Sequence, residues 1–159
     1  MSILDVISAL PLVYLAVATI PLVLIDLREH RLPNKIVLPF TALAFITAIV
    51  VNVANQTWLN LLLAVGLPFA WLIIGIVLNY FDVIGMGDVK FLTALLLAVG
   101  VYSPLIALLI IPISVLLALI AVVYAIMVKR ADVGTSVPLG PWLLVATWSV
   151  VLALSSSVW

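Results

Sequence analysis

The chain has 159 residues, of which 68% are hydrophobic and 8% charged, with no cysteine, one histidine and a formal net charge of zero. Its mean hydropathy of +1.52 excludes a water-soluble domain of this size, which would expose too much apolar surface to stay dispersed. The balanced charge, with no basic stripe, gives nucleic acid nothing to bind, and the lack of thiols excludes disulfides, iron–sulfur clusters and thiolate zinc sites.

The first apolar run covers residues 6–25. Asp5 precedes it and no Lys or Arg does, which is the wrong flank for a cleaved signal peptide, so a retained span is expected. About 20 apolar residues are needed to cross a hydrocarbon core of about 30 Å. By that measure further spans are predicted at residues 36–53, 58–78, 89–102, 105–128 and 139–154, the fourth being short. Residues 91–128 are too many for one crossing, and Ser103-Pro104 is the natural break, because proline lacks an N–H and disfavours helix before it. Every Lys and Arg falls in the connections after the first, third and fifth spans: Arg28, Arg31 and Lys35, then Lys90, then Lys129 and Arg130. An even number of crossings separates these connections, so the positive-inside rule places all three in the cytoplasm. The expected fold is all-α and polytopic, with six transmembrane helices, both termini outside the cytoplasm, and a single transmembrane domain over residues 1–159.

Two carboxylates stand at the edges of these spans. Asp26 ends the first in LVLIDLREHRLPNKIVL, and Asp88 begins the fourth in IGMGDVKF. Ionisable groups at that depth are costly and are usually paired, solvated or functional. Asp88 has an ordinary explanation as a helix N-cap. Asp26 faces the unfavourable, negative end of its helix dipole, so its ordinary explanation is an ion pair with Arg28 or Arg31. Gly85 and Gly87 precede Asp88, and glycine admits positive φ or the close approach of another backbone. Lys90 can meet lipid phosphate or tune the field at Asp88. Two aspartates at a partly dry site can share one proton, the ionised one activating water while the protonated one polarises a peptide carbonyl.

These residues resemble a known family. GMGDVK, residues 85–90, is similar to the Gly-x-Gly-Asp-x-Lys motif of bacterial type IV prepilin peptidases, which are membrane aspartic proteases. DLREHRLPN, residues 26–34, resembles that family's first aspartate and its apolar-Pro-Asn segment, and VPLGPWL, residues 137–143, resembles its Pro-x-Gly-Pro-aromatic run. Gly-x-Gly-Asp alone is also similar to presenilin-type intramembrane proteases, whereas three motifs in order are more specific. The resemblance implies that Asp26 and Asp88 are the catalytic pair and that Gly85, Gly87 and Lys90 shape the site around Asp88. It also brings in Pro33, Asn34, Pro138, Gly140 and Pro141 as site-shaping or substrate-binding positions. No metal or other cofactor is implied. The implied substrates are prepilins or pseudopilins, each with a short basic leader ending in glycine and then an apolar helix, cut on the cytoplasmic side of the bacterial inner membrane. Pilus assembly or secretion machinery is the implied partner.

Larger members of that family carry a cytoplasmic region with zinc-binding cysteines and also N-methylate the new terminus. With no cysteine, this chain resembles the short peptidases of Flp-type, tight-adherence pilus systems, and neither a zinc region nor methyltransferase activity is expected. Archaeal preflagellin peptidases share the pattern. A rival from another class is a small proton- or cation-coupled transporter subunit, which calls for carboxylates near the bilayer midplane and an inverted repeat.

The remaining polar residues read more plainly. His30 is four residues from Asp26, with too few neighbouring ligands for a metal site. Glu29 and Arg31 suit headgroup contacts, although Glu29 would also attract a basic leader. Asp82 either meets that leader or simply ends the third helix. Pro33 should hold Leu32 extended, with Asn34 as N-cap of the second helix. Trp58, Trp142, Trp148 and Trp159 suit interfacial anchoring, and the prolines at 11, 21, 39, 68 and 112 lie within spans.

Overall fold

The computed structural model describes residues 2–29, 31–127 and 139–157. Among them the regular structure is entirely helical: α1 (Ile3–Glu29), α2 (Asn34–Ala54), α3 (Trp58–Tyr80), α4 (Met86–Gly100), α5 (Pro104–Ala107), α6 (Ile110–Met127) and α7 (Gly140–Ser157). Four stretches are long and apolar enough to cross a membrane: α1, α2, α3, and Pro104–Tyr124, which joins α5 to most of α6. Large apolar side chains face outward all along them, among them Val17, Ile20, Leu62, Ile73 and Leu119. Such a surface is stable only against lipid. The protein is a multi-pass membrane protein.

Helix α4 organises the rest. At 15 residues it is about 22 Å long at 1.5 Å per residue, shorter than the bilayer core. Its residues Val89 and Phe91 to Gly100 are all buried, and it packs against α1, α2, α3, α5 and α7, while α6 packs on α7. A helix apolar on every side belongs inside a bundle. Around it lie Leu15 and Leu22 of α1, Val37 and Phe40 of α2, and Leu143 and Ala146 of α7. Phe40 stacks on Tyr14 with ring centroids 5.7 Å apart and meets Phe91 at 6.4 Å. The Tyr14 hydroxyl donates to the Ile36 carbonyl at 3.1 Å, tying α1 to the start of α2.

Because lipid tails are as apolar as these side chains, close packing rather than water exclusion must hold the helices together. Small residues do this at the α3–α4 seam. A Cβ on Gly75 would overlap Cγ1 of Val89, so only glycine lets the two helices approach this closely.

Helix ends follow from local chemistry. Gln56 and Asp82 both take positive φ, 56° and 57°. At each site two backbone bonds close the helix: Gln56 N–H to Val53 and Thr57 N–H to Asn52 after α2, and Asp82 N–H to Asn79 and Val83 N–H to Leu78 after α3. This is the Schellman arrangement, with Gln56 and Asp82 standing where glycine is usual. Asp82 therefore ends α3, the plainer of its two readings. The Asn79 side chain donates to the Ile84 carbonyl at 2.8 Å and fixes the loop that leads to Gly85.

Two expectations about boundaries are corrected. Asn34 is the first residue of α2, and the N-cap is Pro33, at φ −70° and ψ 121°. Pro33 is extended and needs no N–H of its own there. The expected fifth span is present as Pro104–Tyr124, but with a break inside it: α5 ends at Ala107 and α6 begins at Ile110. Pro112 explains the interruption. Its ring clashes with the carbonyl four residues earlier, that of Leu108, which instead receives the N–H of Ile111 at 3.2 Å. Pro104, the first residue of α5, marks the expected break after α4. Lys129 and Arg130 lie outside the described residues.

Candidate active site

Short connections of three to five residues make α1 to α4 alternate in direction. The end of α1, the start of α2, the end of α3 and the start of α4 therefore gather at one end of the bundle. Arg28, Arg31, Lys35 and Lys90, the described cations, are all at this end.

Asp26 lies one turn before the end of α1 and is 3% exposed. Its described partner is the backbone of α7: the Gly140 N–H donates to Oδ2 at 3.0 Å. Gly140 is the first residue of α7, so its amide belongs to the positive end of a helix. A Cβ at this position would stand 2.6 Å from Oδ2 and 3.0 Å from Cγ of Asp26. The contact thus requires glycine. Arg28, one of the two expected ion-pair partners, is exposed on the surface.

Asp88 sits in the first turn of α4, whose N-cap is Gly85 at φ −68° and ψ 139°. Asp88 is consequently the third helical residue, and its ordinary explanation as the N-cap does not hold. The glycine before it serves proximity, not an unusual dihedral, since any residue adopts that extended backbone. A Cβ on Gly85 would lie 3.1 Å from Oδ2 of Asp88. Gly87 in turn faces Leu32, with 3.5 Å from its would-be Cβ to that of Leu32.

A cavity of about 320 Å³ opens here, lined by Asp26, Arg31, Leu32, Asn34, Gly85, Met86, Gly87, Asp88 and Lys90. Two carboxylates about 60 residues apart in the chain thus share one polar recess, with Arg31 and Lys90 in its wall. Leu32 is the apolar hinge of the arrangement. It is 7% exposed and touches the positions of both Gly87 and Gly140, so one side chain joins the starts of α4 and α7 to the turn after Asp26.

Of the positions singled out from the sequence, Asp26, Asn34, Gly85, Gly87, Asp88 and Lys90 line this cavity, and Gly140 bonds to Asp26 from behind. Pro33 caps α2 beside it, and Pro141 is half-buried in the first turn of α7. Glu29 is exposed at the end of α1, away from the cavity wall. Pro138 and His30 lie outside the described residues. Arg31, Leu32 and Met86 enter the wall without having been singled out as site residues. Arg31 carried a signal as a cation near Asp26, and Leu32 as an apolar residue forced extended by the proline after it; Met86 carried none. Among the described residues no three His, Cys, Asp or Glu side chains come together as a metal site.

The sequence profile of the type IV leader peptidase family matches residues 13–158. The chain belongs to the type IV leader peptidase family. The match runs through α1 to α7 and includes both aspartates, the glycines before Asp88 and the start of α7. Family membership and the apolar helices together make this a membrane-embedded peptidase fold. No curated protein and no solved structure matches the chain.

Proposed function

We propose that the protein is an aspartic endopeptidase of the bacterial inner membrane that removes the basic leader from type IV prepilins of the Flp type, after a glycine at the cytoplasmic face. The observation that carries this reading is the shared cavity of Asp26 and Asp88 in a member of a leader peptidase family.

The chemistry follows from two carboxylates holding one proton between them. The ionised member takes a proton from water as the water oxygen attacks the scissile carbonyl carbon. The protonated member gives its proton to the carbonyl oxygen, forming a neutral gem-diol. Collapse of that species breaks the C–N bond, with a proton passed to the leaving amine, and the pair returns to one proton in total. The glycine-lined entrance beside Asp88 leaves room for an extended backbone, and the end of the bundle is where a leader emerging from the membrane would arrive. In this reading the chain crosses six times, with α4 as the short central crossing, and both termini lie outside the cytoplasm. The four described cations at the site end then face the cytoplasm, as a substrate cut on that side requires.

Co-expression with a tagged prepilin tests the assignment. Wild type is expected to shorten the prepilin to a product whose N-terminal mass begins after the leader glycine. Asp26→Asn and Asp88→Asn are each expected to leave it uncut while inserting in the membrane at normal levels. Cutting by either variant at the wild-type rate would overturn the assignment of that aspartate.

A further inference from the structure

Helix α7 contributes to the site through a single amide. An α-helix begins with backbone N–H groups that have no partner inside it. At the start of α7 these are nearly all accounted for. Trp142 and Leu143 donate to the Leu139 carbonyl at 3.1 Å each, and Pro141 has no N–H. The Gly140 N–H remains, and it is the one bonded to Asp26. The same helix pair is tied a second time. Trp148 Nε1–H donates to the Thr19 hydroxyl at 3.2 Å, and that hydroxyl donates to the Leu15 carbonyl at 2.7 Å. Asp26 and Thr19 are two turns apart on α1, and Gly140 and Trp148 are about as far apart on α7, so the two bonds lock one antiparallel register.

We propose that Gly140 is a positioning residue for the peptidase reaction: its N–H fixes the rotamer of Asp26, its missing Cβ admits the carboxylate, and the Trp148–Thr19 bond keeps the two helices in the register that aligns them. This rests on the reading of Asp26 and Asp88 as the catalytic pair.

The test uses the full chain in lipid nanodiscs and a tagged prepilin with a basic leader ending in glycine. Three changes are compared with wild type. Replacing Gly140 by glycolic acid exchanges the amide for an ester, removing the N–H and adding no atom that can clash. Gly140→Ala adds the Cβ. Trp148→Phe keeps the bulk but removes the second tether. The ester is expected to lower kcat about 10- to 100-fold, the loss of one hydrogen bond to a charged group, with KM within about twofold. Gly140→Ala should lose at least as much, and Trp148→Phe about 3- to 10-fold in kcat, again with KM unmoved. A purely structural role would lower the folded fraction and leave kcat per folded molecule intact. An ester variant at the wild-type kcat overturns the inference whatever becomes of Gly140→Ala. Asp88→Asn is run in parallel. If it stays active, or wild type is inert, the peptidase reading falls and the inference falls with it; if it is inactive and the ester variant is not, only the role of Gly140 is lost.

Discussion

Asp26 is held 3% exposed one turn before the end of α1, with the Gly140 N–H on its Oδ2. Asp26 was conspicuous because a carboxylate at a helix C-terminus opposes the dipole and needs compensation. The compensation itself was not legible. One part of it is the Gly140 amide, 114 positions away, and nothing local to Asp26 marks an amide brought in by the last helix. Asp88 had the opposite difficulty: its position at a helix start allowed a harmless explanation, removed only when Gly85 proved to be the N-cap. Gly75 carried no signal, since its partner Val89 is on another helix and a glycine in a membrane span is ordinary. It yields a stability prediction. Gly75→Ala is expected to cost about 1–3 kcal/mol through overpacking against Val89, seen as a lower melting temperature in detergent. The double variant Gly75→Ala/Val89→Ala should recover part of the loss, because the two sites touch. Equal losses in the single and double variants would show that the seam is not tight.

Elements were legible where length and hydropathy decide them. The expected spans at residues 6–25, 36–53 and 58–78 fall inside α1, α2 and α3, and the shortness of the fourth reappears as the 15-residue α4. That α4 sits at the centre was hidden, because a run apolar on all sides looks the same whether lipid or protein surrounds it. The break between α5 and α6 was hidden for another reason. Pro112 is visible within a span, but a proline disturbs the turn before it, and whether the helix kinks or breaks depends on which N–H donates to the Leu108 carbonyl instead. Pro112→Ala is accordingly expected to join α5 to α6 and to slow amide hydrogen exchange at Leu108 to Ile111 in nanodiscs. Unchanged exchange there would show that the break is imposed by packing and not by the proline.

On the scale of the whole molecule, the proposed orientation, drawn from the alternation of charged and uncharged connections, can be checked by a direct experiment. The chain has no cysteine, so single cysteines can be introduced into an otherwise unreactive protein. Gln56→Cys, between α2 and α3, should react with an impermeant maleimide on intact cells, whereas Arg31→Cys and Asp82→Cys, at the site end, should react only once the cells are opened. The reverse pattern would put the cavity on the wrong side for a cytoplasmic cut. The cavity draws on α1, α2, the α3–α4 loop and α4, with α7 behind, so no helix pair contains it alone. Its ingredients are legible as three motifs, but their meeting point depends on the packing of the whole bundle.

The central claim is that Asp26 and Asp88 act as one unit. The most direct test is the single-turnover cleavage rate of a tagged prepilin by Asp26→Asn, by Asp88→Asn and by the double variant, each purified in nanodiscs. If the two share one proton and one water, each single change should lose about 10³-fold or more and the double variant should be no slower than the singles, as for residues that work as a unit. Losses that multiply in the double variant, or a single variant within about tenfold of wild type, would contradict the claim.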